Sequence, residues 1–238
     1  MDSLFPTLII NARPAAGKSE VLAYLNALDD RDRAQRFHIG NMQVFDDFPI
    51  LWGWFEEDDL LERVFHRPRL HTTSDSYFRE DDYWHLLVRR LGLNYEKWHR
   101  DAAPGATAVI EFSRGAGSGG YAAAYRHLPP ALLDTASVLY IRVSYEESLR
   151  KNRRRMNPER LDSILEHSLP DDKMERLYRA DDFAELAAGD AAFLHLNDHR
   201  VPYVIFDNED DLTTAGGEPL GERLETCLAD LWERRRAR

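Results

Sequence analysis

The segment Leu8–Ser19, with the sequence LIINARPAAGKS, constrains the fold of this chain more than any other stretch. A short apolar run typical of a buried strand leads into a turn that ends in Gly17-Lys18-Ser19, and an amphipathic helical pattern follows at once. This order matches the strand–GxxxxGK(S/T)–helix motif, in which backbone amides and a helix N-terminus surround a phosphate group. The segment, called the GKS loop below for its residues 12–19, therefore predicts phosphate binding at the first strand of an α/β sheet.

The residue types of the GKS loop suit a nucleotide. Gly17 lets the backbone approach a phosphate closely, Lys18 would reach the β- and γ-phosphates, and the Ser19 hydroxyl would ligate Mg²⁺. ATP and Mg²⁺ are therefore the expected cofactors. The residues expected to contact ATP in this segment are Arg13, Ala15, Ala16, Gly17, Lys18, Ser19 and Glu20.

The loop departs from the motif at two positions. Ala12 stands where the motif has its first glycine, so the backbone there must avoid a positive φ, and Pro14 removes one amide donor. A chance Gly-Lys-Ser after a strand is the competing interpretation, since short motifs also occur by accident. The motif spacing and the helical pattern that follows favour phosphate binding.

Five short apolar runs alternate with helical patterns, which predicts an α/β fold with a parallel sheet covered by helices. The predicted strands are Leu8–Ala12, Phe37–Gly40, Ala106–Phe112, Ser137–Val143 and Val201–Phe206. Four apolar stripes at helical spacing predict helices. Their members are Val21, Leu22, Leu25 and Leu28; Trp54, Leu61, Val64 and Phe65; Trp84, Leu87, Val88 and Leu91; and Leu220, Leu224, Leu228, Leu231 and Trp232.

We expect a single domain over residues 1–238 with two inserts. The long interval between the second and third strands must hold several packed helices, which places a helical insert at about residues 53–103. Two prolines and mixed charge follow a basic helix, and they indicate a mobile, lid-like insert at about residues 150–172.

Composition excludes several classes of protein. The 31 Lys+Arg against 42 Asp+Glu give a net charge of −11, which argues against general nucleic-acid binding. The one cysteine, Cys227, excludes an internal disulfide framework and fits a reducing compartment. The sequence contains no run of about 18 apolar residues and no secretory signal pattern at its start, so we expect a cytoplasmic protein without a membrane span.

The GKS loop and the basic segment Tyr145–Arg155 together resemble the nucleoside and nucleoside-monophosphate kinase group of P-loop proteins. The resemblance implies a three-layer fold with five parallel strands in the order 2-3-1-4-5. It also implies a lid whose arginines neutralise the transferring phosphoryl group while water is excluded. Arg150 and Arg154 are then catalytic candidates on one helical face, and Arg153 is a contact to ATP. A solvated basic helix face would give the same composition.

Deoxynucleoside kinases carry a carboxylate followed five residues later by a tryptophan, and Asp47 and Trp52 are similar in spacing. The resemblance implies that Asp47 accepts the proton of the acceptor hydroxyl and that Trp52 lies against a flat base. The family residue is a glutamate followed directly by proline, whereas Pro49 lies one position later here. An acidic turn beside a core tryptophan would produce the same spacing.

Glu111 is a charged residue at the end of an otherwise apolar strand, which is costly without a partner. Because the carboxyl ends of parallel strands face the ligand cleft, Glu111 is predicted to be catalytic and to hold Mg²⁺ or bind substrate. Arg69 and Arg114 are predicted to contact the acceptor, and with Arg79 they could instead form an anion clamp.

Two further segments leave alternatives open. The glycines at 115, 117, 119 and 120 make a flexible stretch that closes over substrate or is a loose turn. Asn208 follows the last strand, where the resemblance implies contact with the adenine of the donor; it would equally cap the turn.

The sequence therefore predicts an ATP-dependent phosphotransferase that passes the γ-phosphoryl group to a hydroxyl of a small molecule, with a nucleoside favoured over a monophosphate. Its partners would be a nucleotide triphosphate and that acceptor, and the resemblance is compatible with a homodimer. The alternative is a nucleotide-binding switch NTPase, or a degenerate P-loop protein that binds without chemistry.

Overall fold

The structure, a computed structural model, describes residues 3–155 and 168–238. The strands within these residues are β1 Thr7–Ala12, β2 Asn41–Asp46, β3 Ala106–Phe112, β4 Ala136–Arg142, β5 Phe193–Leu196 and β6 His199–Asp207. The helices are α1 Lys18–Ala27, α2 Asp30–Phe37, α3 Phe48–Arg63, α4 Asp82–His99, α5 Gly120–Arg126, α6 Pro130–Thr135, α7 Tyr145–Arg155, α8 Asp171–Tyr178, α9 Phe183–Ala187, α10 Leu212–Ala215 and α11 Gly217–Arg236. A 3₁₀ turn spans Ala116–Ser118.

The strands form one mixed, mostly parallel sheet in the order β2-β3-β1-β4-β6-β5. The prediction of a five-stranded, wholly parallel sheet was wrong in count and in direction, because β5 adds an antiparallel edge. Strands β5 and β6 are joined by two residues, and Asn197 in this turn has a φ of +54°, the left-handed conformation that tight hairpins favour. At four residues, β5 is too short to stand out as an apolar run.

The predicted second strand was misplaced. Phe37 ends helix α2, His38 takes a left-handed conformation as its C-cap, and the strand begins only at Asn41. Strand β2 is an edge strand with one neighbour, and its residues are exposed or partly buried throughout. It therefore lacks the continuous apolar run that marks strands covered on both faces.

Helices cover both faces of the sheet. One apolar core joins the sheet to α1 and α11, and the other joins it to α4 and α5. The predicted stripes of α1 and α11 lie in or against the first core. In the α4 stripe, Val88 and Leu91 lie in the second core, whereas Trp84 and Leu87 join a third apolar cluster with residues of α8. The apolar stripe predicted for α3 was wrong in its second half. The helix ends at Arg63, and both Val64 and Phe65 are exposed.

Helix α8 packs against the glycine-rich turn after β3. A Cβ added at Gly115 would lie 2.2 Å from the carbonyl oxygen of Leu177, and one added at Gly117 would lie 2.3 Å from that of Arg176. The stretch is thus neither a loose turn nor an open flap at these two positions. Its glycines are needed because two backbones meet there.

The centre of the lid-like insert, residues 156–167, lies outside the described residues. Helices α7 and α8 flank it on either side. None of the described helices combines the length and apolar content that a membrane span requires.

Replacing Gly117 by alanine should destabilise the protein, because the new methyl group overlaps the backbone of α8. We expect a loss in the free energy of unfolding on the order of 2 kcal/mol, measured by urea denaturation. Gly189→Ala is the control, since nothing lies within 4 Å of a Cβ there, and it should change stability by less than about 0.5 kcal/mol. Equal stabilities of the two variants would contradict the close packing of α8.

Candidate active site

The carbonyl oxygens of the GKS loop are held by hydrogen bonds from the surrounding protein. Those of Ala12, Pro14 and Ala16 accept bonds from the side chains of Tyr121 on α5 (2.9 Å), Ser148 on α7 (2.7 Å) and Asn208 after β6 (2.9 Å), respectively. Two further carbonyl oxygens accept bonds from amides of the same segment: Ala16 N donates to Arg13 O and Val21 N to Gly17 O. The acceptor side of the loop is therefore largely satisfied.

The amides of the same loop are not satisfied in this way. Within the described residues, the N–H groups of Ala15, Gly17, Lys18 and Ser19 donate to no acceptor, and the N-terminus of α1 has no side-chain cap. Buried backbone donors without partners are costly, and donors at a helix N-terminus attract an anion. The loop thus offers a set of donors that suits a phosphate group.

Two residues of the loop have positive φ. Gly17 has a φ of +114° and Ala15 a φ of +55°, whereas Ala12 ends strand β1 in extended conformation beside Ile141 of β4. The expectation that Ala12 avoids a positive φ is confirmed. Gly17 also has no room for a side chain, since a Cβ would lie 2.5 Å from Thr213 Oγ1 and 2.9 Å from Asn208 Nδ2.

Lys18 points into the protein at the carboxyl ends of the strands. Its ammonium donates to Ser113 Oγ at 2.7 Å and lies 3.7 Å from Glu111 Oε1, with both charged side chains buried. Lys18 therefore faces the end of β3 and not bulk solvent. Ser113 was missed in the sequence because a lone serine after a strand carries no distinctive pattern.

A second carboxylate, Asp46, lies beside Glu111, because their Cα positions pair across strands β2 and β3. Burial, together with the nearby charges of Glu111 and Asp47, raises the pKa of Asp46 to about 7. Burial also raises the pKa of Glu111, although the ammonium of Lys18 opposes that shift. Asp46 was not among the predicted site residues, since its neighbour Asp47 has the family spacing to Trp52.

Asp47 is held by an arginine. Its Oδ2 lies 2.6 Å from Arg114 Nη1, and both side chains are almost fully buried. Arg114 also donates to Trp84 O at 3.2 Å and lies over the Trp84 ring. The predicted acceptor residues Asp47 and Arg114 are thus brought together next to Asp46 and Glu111, but each already neutralises the other.

An arginine of α7 that was not among the predicted residues lies next to the GKS loop. Arg155 lies 2.9 Å from Glu20 on the first turn of α1, next to Ser19. Burial acts to raise the pKa of Glu20, but the charge and hydrogen bonds of Arg155 outweigh it and lower that pKa. Arg155 is therefore the described arginine of this segment whose side chain pairs with the helix that follows the GKS loop.

The three predicted arginines of α7 are engaged elsewhere. Arg150 pairs with Glu147 at 2.6 Å and with Asp211 at 2.8 Å, and Arg153 pairs with Asp171 at 2.6 Å. Arg154 is mostly exposed, and its Nη1 lies 3.9 Å from Asp211 Oδ2. The sequence does not distinguish Arg155 from its neighbours, because the rotation of α7 about its axis depends on tertiary contacts.

Arg13 and Asn208, which were predicted to contact ATP, brace the loop with their side chains. Arg13 lies 2.7 Å from Asp181 and donates to Val143 O and Tyr178 O. Asn208 is fully buried, and it bonds Thr213 as well as Ala16. Of the two alternatives for Asn208, the structure shows the turn contact; its side chain has no exposed edge toward a base.

A groove of about 470 Å³ opens at the carboxyl ends of β4 and β6. Arg13, Phe183, Ile205, Asp207 and Glu209 are among its lining residues, whereas Lys18 and Glu111 are not. The groove therefore does not coincide with the charged cluster formed by Lys18, Asp46, Asp47, Glu111 and Arg114, although Arg13 of the GKS loop lines it. We place the candidate site at the charged cluster, because the donors and titratable groups are there.

The remaining predicted residues lie on the acceptor-side insert. Trp52 on α3 is partly buried and donates to Glu56 at 2.9 Å. Arg69 lies 2.6 Å from Asp59 and 3.1 Å from Glu62, so its charge is already balanced. Arg69 is not among the hydrogen-bond or ion-pair partners of Lys18 and Glu111 within the described residues.

Asp58, which sequence reasoning missed, organises the segment that holds Arg69. This fully buried carboxylate accepts hydrogen bonds from the amides of Leu70, His71 and Thr72 and from the Thr72 hydroxyl, at 2.6–2.9 Å. Burial acts to raise its pKa, but these hydrogen bonds outweigh that effect and lower the pKa to about 2. A single aspartate in an acidic run, EEDDLLE, gives no signal of this role.

The residues present suit Mg²⁺ held together with a phosphate. Within the described residues, no three His, Cys, Asp or Glu side chains are arranged to hold a metal by themselves. Mg²⁺ commonly keeps waters and uses one or two carboxylates plus phosphate oxygens. The exposed Ser19 hydroxyl and the buried Glu111, whose pKa is raised by burial, supply ligands that gain from a nearby cation.

Comparisons with known proteins leave the family open. No protein-family model and no curated protein matches the chain. Among solved structures, the chain is similar to an unliganded sugar kinase from Janibacter sp. HTCC2649, at 13% sequence identity and a TM-score of 0.41 over 94% of each chain. A similarity at that level supports no inference about function.

Replacing Asp58 by asparagine should destabilise the protein at neutral pH, because an amide cannot accept all the bonds that the carboxylate accepts. We expect a loss on the order of 3 kcal/mol in the free energy of unfolding. The folded pKa is depressed, so the contribution of the carboxylate is present above its unfolded pKa near 4 and is lost as the pH falls through about 2.

Urea denaturation of the wild type and Asp58→Asn between pH 7 and pH 2 measures this effect. The stability difference should shrink below pH 4. The exposed Asp101→Asn is the control and should stay within about 0.5 kcal/mol of the wild type throughout. A difference that persists unchanged to pH 2 would show that ionisation of Asp58 is not what stabilises the segment.

Proposed function

We propose that this chain is an ATP-dependent phosphotransferase that transfers the γ-phosphoryl group to a hydroxyl of a small molecule. The observation that supports this most strongly is the asymmetry of the GKS loop. Carbonyl oxygens are bonded outward to α5, α7 and the β6 turn, while the amides of Ala15, Gly17, Lys18 and Ser19 have no acceptor within the described residues. Such an arrangement favours a polyphosphate over neutral ligands.

Lys18 and Arg155 would neutralise the charge that develops on the transferring group. Lys18 enters from the floor of the site beside Ser113, and Arg155 enters from α7 beside Glu20. Fixed positive charges in a partly buried site stabilise such charge without the cost of reorganising solvent. Mg²⁺, held by Ser19 with Glu111, would supply further neutralisation of the phosphate oxygens.

The acceptor hydroxyl needs a general base that takes its proton, and Asp46 and Asp47 are the two candidates. Asp47 is paired with the buried guanidinium of Arg114, whose Nη1 lies 2.6 Å from its Oδ2 and so occupies one of its two oxygens. The pKa of Asp46 is raised to about 7, close to the value that suits a general base at neutral pH. Asp46 is therefore our preferred base, and Asp47 with Arg114 would orient the hydroxyl.

The acceptor oxygen forms a bond to the γ-phosphorus, and its proton passes to the Asp46 carboxylate. The bond between the γ-phosphorus and the bridging oxygen breaks, and ADP leaves with that oxygen.

The charges around the site favour a neutral acceptor over a phosphorylated one. Asp46, Asp47 and Glu111 concentrate negative charge there, while Arg114 and Arg69 are already paired with carboxylates. An anionic acceptor would find little unbalanced positive charge beyond Lys18 and Arg155. A nucleoside-like molecule, with a hydroxyl for Asp46 and a ring for Trp52, is the class that we propose.

Replacing Lys18 by alanine should weaken magnesium-dependent ATP binding, measured by calorimetry, and lower the turnover rate by about 10²–10³-fold. The physical reason is the loss of the charge that faces the phosphates. Lys97→Ala, which removes an exposed lysine from α4, is the control and should bind ATP as the wild type does.

A panel of acceptors, read by the mass increase of the product, tests the reaction itself. ADP formation should require a nucleoside or a similar hydroxyl compound. Turnover that needs no acceptor, or ATP binding without any turnover, would contradict the phosphotransferase and favour a switch NTPase or a binding protein.

Asp46→Asn and Asp47→Asn should differ in their pH profiles. If Asp46 is the base, wild-type kcat/KM rises with pH through about 7 and levels off above, because the base must be ionised. Asp46→Asn should lose this rising limb, while Asp47→Asn should keep it at a lower plateau. The opposite result, with the limb lost only in Asp47→Asn, would assign the base to Asp47.

A further inference from the structure

Ser113 places a hydroxyl group beside Lys18 in the candidate site. The Lys18 ammonium donates to Ser113 Oγ at 2.7 Å, and Ser113 is only partly buried. A serine hydroxyl has one O–H donor and two acceptor lone pairs, and Lys18 uses one of the lone pairs. In the part of the chain that the structure describes, the O–H group of Ser113 donates to no acceptor. Ser113 therefore has an unused donor next to the Lys18 ammonium.

The backbone around Ser113 is held in place by buried side chains. Its carbonyl oxygen accepts a bond from Arg114 Nη1 at 2.6 Å, and the same guanidinium pairs with the buried Asp47. The preceding carbonyl oxygen, that of Phe112, accepts a bond from Asn11 Nδ2 at 3.0 Å, and Asn11 is fully buried in β1. Because the backbone is fixed on both sides, the Ser113 hydroxyl needs little ordering to bind a ligand.

The position of Ser113 relative to the GKS loop indicates which part of a nucleotide it would meet. The loop follows β1, whereas Ser113 follows β3, the neighbouring strand of the sheet. Lys18 spans the two, because its backbone begins α1 and its ammonium ends at Ser113. In loops of this type the amides surround the α- and β-phosphates, and the lysine reaches on to the β- and γ-phosphates. Ser113 thus lies at the end of the Lys18 side chain that would meet the γ-phosphate.

We propose that Ser113 donates a hydrogen bond to the γ-phosphoryl group, and that this bond makes the site select nucleoside triphosphates over diphosphates. This selection rests on the proposed function in one respect, since it requires the GKS loop to bind a polyphosphate. The γ-phosphoryl group has three terminal oxygens, so one can accept from Lys18 while another accepts from Ser113. In a diphosphate the last phosphate stays among the loop amides, and the Ser113 donor has no phosphate to bind.

The serine discriminates between the two ligands better than the lysine does. The Lys18 ammonium, on its flexible stem, adjusts to whichever phosphate is nearest. The Ser113 hydroxyl adjusts much less, because its side chain is short and the backbone on both sides of it is fixed. A hydrogen bond to an ionised acceptor is also stronger than one between neutral groups. The selection for a triphosphate therefore comes mainly from Ser113.

Calorimetry of the full chain with Mg²⁺, and without any acceptor molecule, tests the proposal. The ligands are ADP and the β,γ-imido analogue of ATP, which keeps a γ-phosphoryl group but does not transfer it. Ser113→Ala should weaken binding of the analogue by about tenfold, because a hydrogen bond to a charged acceptor is lost. The same variant should change the affinity for ADP by less than about twofold, since ADP does not use that bond.

Ser137→Ala is the matched control. Ser137 lies near the start of β4, at the opposite end of the sheet from the GKS loop, and its fully buried hydroxyl has no hydrogen-bond partner within the described residues. Its removal should leave both affinities within about twofold of the wild type.

The ratio of the two affinities separates a contact with the γ-phosphoryl group from a merely structural role. If Ser113 only held Lys18 in position, Ser113→Ala would change both affinities together, because the lysine reaches both the β- and the γ-phosphate. A loss confined to the ATP analogue supports the proposal. Equal losses for both ligands, or no loss for either, overturn it.

The measurement also distinguishes this proposal from the proposed function. A wild-type chain that binds neither ligand overturns both. Turnover is not measured, so a chain that shows the selective loss but transfers no phosphoryl group to any acceptor of the panel overturns the phosphotransferase alone.

Discussion

The hydrogen bonds that fix the carbonyl oxygens of the GKS loop are the constraint on which the candidate site depends. Tyr121, Ser148 and Asn208 come from three different elements, and each binds one carbonyl oxygen of the loop. With these acceptors bonded to the surrounding protein, the amides of Ala15, Gly17, Lys18 and Ser19 are left without an acceptor within the described residues. The geometry of the loop is therefore not determined by its own eight residues alone, because α5, α7 and the turn after β6 also set it.

The charged groups next to the loop show how sequence neighbours acquire different roles. Asp46 and Asp47 are adjacent in the chain, but one ends a strand beside Glu111 while the other pairs with the buried Arg114. Burial and the nearby charge of Glu111 raise the pKa of Asp46 to about 7. The two residues are of the same type, but their surroundings differ. Asp46 can exchange a proton near neutral pH, whereas Asp47 holds Arg114 in place.

The sequence predicted the parts of the fold where local pattern and tertiary environment agree. Strands β3 and β4 are buried on both faces, so their apolar runs appeared within a residue of their observed bounds. Strand β2 lies at an edge and has no such run, and β5 is too short to show one. For the site, Lys18 and Glu111 followed from motif and strand position. Arg155, Asp46 and Asp58 did not, because the rotation of a helix and the pairing of strands determine what they face.

The contacts behind Gly17 have a consequence for how the chain would respond to a bound anion. Lys151 of α7 is buried and donates to Thr213 Oγ1, Thr213 bonds Asn208, and Asn208 bonds Ala16 O. A displacement of α7 would therefore shift the donors that surround the anion. Such coupling is reciprocal. If one position of α7 strengthens anion binding, a bound anion stabilises that position of α7 by the same free energy. Binding of an anion in the GKS loop would thus affect the position of α7.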